Sequence, residues 1–173
     1  MSIIFKISDN SSIQLHILED EIYKFTECEL LYMDNNRKIC LSNDYLYVYV
    51  NNMLSRLQNI PILDGCSNCF GRLGRWQEYY YYDELLIGEF SDEIKLMEKA
   101  TFISTENYGI FLYSFDNKIW LEMNRGYDEN CSMDAIQFYS NSDNYRMLLV
   151  SLSKDILVEW ERKLIRYYRM INS

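Results

Sequence analysis

Residues 108–124 read YGIFLYSFDNKIWLEMN. Two runs rich in aromatic and β-branched side chains flank Asp116-Asn117, and Asp and Asn tolerate the left-handed backbone that a tight turn demands. The stretch predicts an antiparallel hairpin, and shorter versions of its pattern lie upstream. SIIFKIS at 2–8 and IQLHIL at 13–18 flank the polar turn Asp9-Asn10-Ser11-Ser12, while CELLYM at 28–33 and RKICL at 37–41 flank Asp34-Asn35-Asn36. A strand is expected within 77–90, and two more at 135–139 and 145–152.

Two stretches change period. Tyr45, Leu46, Tyr49, Val50, Met53, Leu54 and Leu57 follow helical spacing and predict a helix over 43–58, capped by Ser42 or Asn43. In SKDILVEWERKLIRYYRMI, residues 153–171, an apolar stripe of Ile156, Leu157, Trp160, Leu164, Tyr167, Tyr168 and Ile171 follows a cap at Ser153. SDEIKLMEKA, 91–100, suits a helix capped by Ser91 and also a strand. Hairpins with an internal and a terminal helix give a single α+β domain over 1–173, an antiparallel sheet with the helices packed on it. The irregular stretch 59–76, with Pro61, Gly65, Gly71 and Gly74, is where two lobes would part.

The chain has 173 residues, 49% of them apolar and 25% charged, which is enough to build a core. No apolar run approaches the roughly 18 residues of a membrane span, and the opening MSIIFKISDN lacks a basic leader, so a cytoplasmic protein is expected. A net charge of −9 opposes direct nucleic-acid binding, because each neutralised phosphate needs a Lys or Arg.

Candidate chemistry is sparse. The single His16 lies in a strand-like run without a paired nucleophile motif, and no carboxylate pair stands out, so no catalytic residue is assigned and no enzyme is expected. SDNSS and DNNR lack the ligand order of a calcium loop, and the stretch Gly71 to Gly74 lacks a phosphate-loop pattern. Neither a metal nor a cofactor is assigned. Of the five cysteines, Cys66 and Cys69 have CxxC spacing, which suits half a zinc site, a redox disulfide or two partly buried thiols in a turn; reduced thiols are the expectation. Arg72 and Arg75 near Trp76 could grip a phosphate, and Arg162, Lys163, Arg166 and Arg169 complement a helix C-terminus.

Charge supplies the candidate site. Glu78, Asp83, Glu84, Glu89, Asp92 and Glu93 have no Lys or Arg between them and interleave with Tyr79 to Tyr82. Strand alternation would expose Tyr80 and Tyr82 beside these acids, a combination suited to binding a basic protein, since Tyr gives contact area at low entropy cost. The competing reading is a solvated edge strand whose tyrosines pack inward. Glu19-Asp20-Glu21 with Glu27 and Glu29 forms a second acidic patch, read as hairpin surface.

The acidic body rich in Tyr and Asn, the opening IIFKIS and the ending NYRMLLVSLSKDILVEWERKLIRYYRMI resemble the small acidic immunity proteins of bacterial contact-dependent growth inhibition and related polymorphic toxin systems. An excess of Phe, Tyr, Met, Ile, Asn and Lys over Gly, Ala, Arg and Pro, 73 against 18, accompanies the AT-rich coding common in such genes. The resemblance implies a cytosolic protein that binds the C-terminal domain of one cognate toxin, often a nuclease, and blocks it. An adaptor with another basic partner, and a hydrolase or small-ligand protein, are the alternatives.

Overall fold

A computed structural model describes residues 1–35, 37–63, 69–74, 91–128 and 130–173, with backbone alone at 91–93, 104 and 136. The fold is α+β, with two four-stranded antiparallel sheets and helices. The chain forms two compact units, Met1–Gln58 with Leu152–Ser173, and Asn59–Ser151. The break after Gln58 falls at the head of the irregular stretch.

In the first unit β1 (Ser2–Lys6), β2 (Ser11–Ile17), β3 (Glu27–Asp34) and β4 (Arg37–Tyr45) pair in that order as an antiparallel meander. Alternation puts Ile3 and Phe5 inside and leaves Ile4 exposed on the same strand. Asn35 takes the left-handed conformation between β3 and β4, with φ 50°. α1 (Leu46–Gln58) follows β4 without a loop and lies against the terminal helix, Lys154–Ile171. Ser153 caps the latter by accepting from the Ile156 amide at 3.3 Å, and Trp160 and Leu164 on its buried stripe are fully enclosed. Trp160 meets Phe5 edge to face at 5.7 Å, and its indole N–H donates to the Lys6 carbonyl at 2.8 Å.

In the second unit α2 (Ser91–Ala100) runs into β5 (Thr101–Ser104), which pairs with β6 (Tyr108–Phe115), then β7 (Lys118–Arg125) and β8 (Arg146–Leu152). α3 (Ala135–Ser140) and α4 (Ser142–Tyr145) intervene, so the terminal helix is α5. The 108–124 hairpin forms as the sequence predicts: Asp116 and Asn117 have φ 52° and 57°, and Tyr113 pairs with Trp120. Leu63, Cys69, Leu73, Met97, Ala100, Phe111 and Tyr113 make one core, and Phe138, Tyr139 and Tyr145 a second cluster.

Several expectations are corrected. The helix expected over 43–58 begins at Leu46, and neither Ser42 nor Asn43 caps it, because pairing with β3 extends β4 to Tyr45 and the Ser42 hydroxyl hydrogen-bonds Tyr49 at 2.6 Å. The strand expected at 135–139 is helix, nucleated by Asp134, whose carboxylate accepts from the Gln137 amide at 2.8 Å. Cys69 is fully buried and disulfide-bonded, so it is not a reduced thiol. The strand expected within 77–90 and Cys66 lie outside the described residues, whereas 91–100 is the helix of its two alternatives.

Candidate protein-binding site

Glu78, Tyr80, Tyr82, Asp83, Glu84 and Glu89 lie outside the described residues. Asp92 and Glu93 stand in the first turn of α2, where backbone alone is described. What the structure does describe is the turn at 69–74 that leads toward this segment, and it is clamped. The Leu73 amide donates to Glu122 Oε1 at 3.0 Å, Asn124 Nδ2 donates to the same oxygen at 2.6 Å, and the Tyr113 hydroxyl donates to Oε2 at 2.8 Å. Gly71, at φ +66°, donates in turn to the Tyr113 oxygen at 3.2 Å. Glu122 is fully buried, which pushes its pKa up, while hydrogen bonds from Asn124, Tyr113, Gly74 and Leu73 pull it back. With its oxygens occupied by donors, this carboxylate fixes a turn rather than presenting itself to a substrate. Unit two also holds a pocket of about 120 Å³ lined by Arg72, Tyr139, Ser140, Asn141, Ser142 and Tyr145, among which there is no acid, thiol or imidazole.

His16 bonds Ser2 Oγ through Nδ1 at 2.9 Å across paired strands. On α5, Lys163 reaches Glu159 at 2.6 Å and the Ile4 carbonyl at 2.6 Å, and Arg166 lies 6.0 Å from the Tyr167 ring. Of these contacts, the Lys163 bond to the Ile4 carbonyl ties the helix to β1.

A different surface combines acids with aromatic rings. Residues 18–26, between β2 and β3, carry Glu19, Asp20 and Glu21 together with Tyr23, Lys24 and Phe25, and Glu27 opens β3. The backbone here is pinned. Buried Thr26 donates through Oγ1 to the Glu21 carbonyl at 3.1 Å and accepts from the Tyr23 amide at 2.9 Å, and its own carbonyl accepts from the first amide of α1 at 2.8 Å. The Glu27 amide donates to Glu19 Oε1 at 3.0 Å. A loop so well satisfied nevertheless leaves Tyr23 48%, Phe25 53% and Leu18 51% exposed, with Tyr45 at the end of β4 exposed to 42%. Such rings normally go inside, and contiguous exposed apolar groups mark interaction sites.

The rings form one cluster. Phe25 meets Tyr45 and Tyr47 edge to face, both at 5.8 Å, and the two tyrosines lie near parallel, 17° apart, at 6.4 Å. Tyr45 is the cross-strand partner of Glu27, which sets a carboxylate beside it on one sheet face. The Tyr23 hydroxyl is held above its ordinary pKa by its hydrogen bond to Glu19, then by desolvation and the charges of Glu19 and Glu27.

The sequence pattern puts Glu19-Asp20-Glu21 on a hairpin surface and Tyr45 in the buried stripe of a helix. The available signal was YKF at 23–25 facing YLY at 45–47 across a predicted hairpin. Placing the helix start too early hid it. No protein-family model matches this chain, and no curated protein or solved structure matches it at a significant level.

Proposed function

We propose that this chain is a cytoplasmic immunity protein without turnover of its own, which neutralises the C-terminal domain of a cognate toxin by binding a cationic face of it. The observation that carries the reading is the ring cluster of exposed Phe25 on a pinned loop, exposed Tyr45 at the end of β4 and half-buried Tyr47 in α1, set among Glu19, Glu27 and their neighbours. Rigid aromatic anchors supply most of the energy in protein interfaces because they bury large area and lose little side-chain entropy, and a loop already ordered loses little more. Surrounding carboxylates add electrostatic complementarity, which speeds encounter with a basic partner and disfavours acidic ones. A nuclease must present Lys and Arg to phosphates, so its cleft is the kind of surface this patch fits. The 78–93 segment of the other unit, with the same combination of residues, is proposed as a separate partner-binding segment.

Growth rescue tests the reading. Cells expressing a toxin domain encoded beside this gene should grow when the chain is co-expressed, through a complex burying roughly 1,200 to 2,000 Å². Phe25→Ala with Tyr45→Ala should abolish rescue while the protein stays folded. Absence of rescue by the unmodified chain, or co-purification with basic proteins that are not toxins, rejects immunity in favour of an adaptor.

A further inference from the structure

We infer that the cluster of Phe25, Tyr45 and Tyr47 is a seat for an arginine side chain of the protein partner, occupied in the free chain by Lys24. This inference rests on the function proposed above and specifies what the patch recognises.

Lys24 supplies the first argument. Its ammonium lies 5.7 Å from the Phe25 centroid and 5.5 Å from that of Tyr47, inside the range of about 6 Å over which an aromatic face attracts a cation. Glu19, Asp20, Glu21 and Glu27 are all within five residues of Lys24 in sequence, yet among the described residues it makes no ion pair. The rings hold this cation. Lys24 is itself exposed and its stem is flexible, so another cation can replace it.

Geometry and charge select arginine. Tyr45 and Tyr47 are 17° from parallel, and a planar guanidinium can lie flat on such faces where a tetrahedral ammonium cannot. Phe25 stands nearly perpendicular to both, at 80° and 84°, and closes one side. Glu27, opposite Tyr45 in the strand register, lies beside the rings, where a carboxylate can take a fork of two N–H donors from the same guanidinium. The remaining alternative, a seat for any positive charge, would show no preference between Arg and Lys.

NMR of the full chain with aromatic labelling tests this. The probes are three capped pentapeptides, Gly-X-Gly-X-Gly, in which X is arginine, lysine or norleucine. The arginine peptide should shift the Phe25, Tyr45 and Tyr47 ring signals saturably and bind at least threefold more tightly than the lysine peptide; the norleucine peptide should shift nothing. Lys24→Ala should tighten arginine-peptide binding at least threefold, and the gain should persist in 0.5 M salt, where a mere change in surface charge is screened at about 4 Å. Tyr47→Leu, with amide signals elsewhere unchanged, should remove the ring response. Equal binding of the arginine and lysine peptides, an unmoved Phe25 ring, or a Lys24→Ala gain that vanishes in salt overturns the inference. If the peptides fail while Phe25→Ala still abolishes toxin rescue, the arginine seat falls and the immunity reading stands. If the peptides bind as expected while the unmodified chain gives no rescue, the seat stands and the immunity reading falls.

Discussion

Glu122 is fully buried and its carboxylate accepts from Leu73, Asn124 and Tyr113. Burial penalises the charged form, so in the folded chain this acid titrates above its ordinary value of 4.5 in spite of those donors. Protons are therefore bound more tightly in the folded state than in the unfolded one. The stabilisation this gives is complete below pH 4.5 and is lost as pH rises through the folded pKa. Glu122→Gln keeps an acceptor for the Leu73 amide and has no charge to bury. Urea unfolding from pH 4 to pH 8 should thus show the unmodified chain losing stability relative to this variant as pH rises. Parallel curves for the two proteins would mean that the donors fully offset burial. The turn also depends on space: a Cβ at Gly74 would lie 2.6 Å from the Asn124 side chain, so the clamp closes on a glycine for steric reasons.

α5 shows how one element is held, at its N-terminus by the Ser153 cap and along its stripe by Trp160 packed on Phe5. Trp160→Ala should cost about 3 to 5 kcal/mol through the cavity it leaves. Trp160→Phe retains much of the ring but leaves the Lys6 carbonyl without its 2.8 Å donor, which should cost about 1 to 3 kcal/mol. Val158 is 63% exposed on the outer face, and Val158→Lys should stay within about 0.5 kcal/mol of neutral. Chemical denaturation checks all three, and a large loss at Val158 would mean that this face is covered. Such a helix is legible because its apolar period persists over 18 residues. The 108–124 hairpin is legible because Asp116 and Asn117 announce its turn. AIQFYS is too short for periodicity to separate strand from helix, and only the Asp134 side chain, reaching forward to accept from the Gln137 amide, decides it. At Ser42 to Tyr45 a good capping sequence loses to strand pairing, a tertiary effect that local propensity does not contain. That error conceals the patch, since Tyr45 belongs to the core of a helix beginning at 43 and to the surface of a strand ending at 45.

At the scale of the molecule, charge and aromatic anchors are distributed differently. Residues 59–151 carry 15 acids against 7 basic residues, whereas the other unit carries 11 against 10. Most of the net charge that would steer a cationic partner thus belongs to the second unit, and the exposed ring cluster belongs to the first. Long-range charge acts on encounter and buried aromatic contact acts on release, so the two contributions should separate kinetically. Converting Asp83, Glu84 and Glu89 together to Lys should slow association with the cognate toxin domain about tenfold in 50 mM salt, an effect that fades toward 0.5 M as the Debye length contracts to about 4 Å. Glu27→Gln, which removes one charge beside Tyr45, should slow association less and also quicken release, because it takes a partner from the interface itself. Tyr45→Ala should leave the association rate within about threefold and raise the dissociation rate more than tenfold, the loss expected of an anchor worth about 2 kcal/mol. Stopped-flow association with dissociation by competitor exchange, each across 50 to 500 mM salt, resolves these effects. A Tyr45→Ala variant that releases the toxin at the unmodified rate would remove the ring cluster from the interface and leave the acidic 78–93 segment to account for binding.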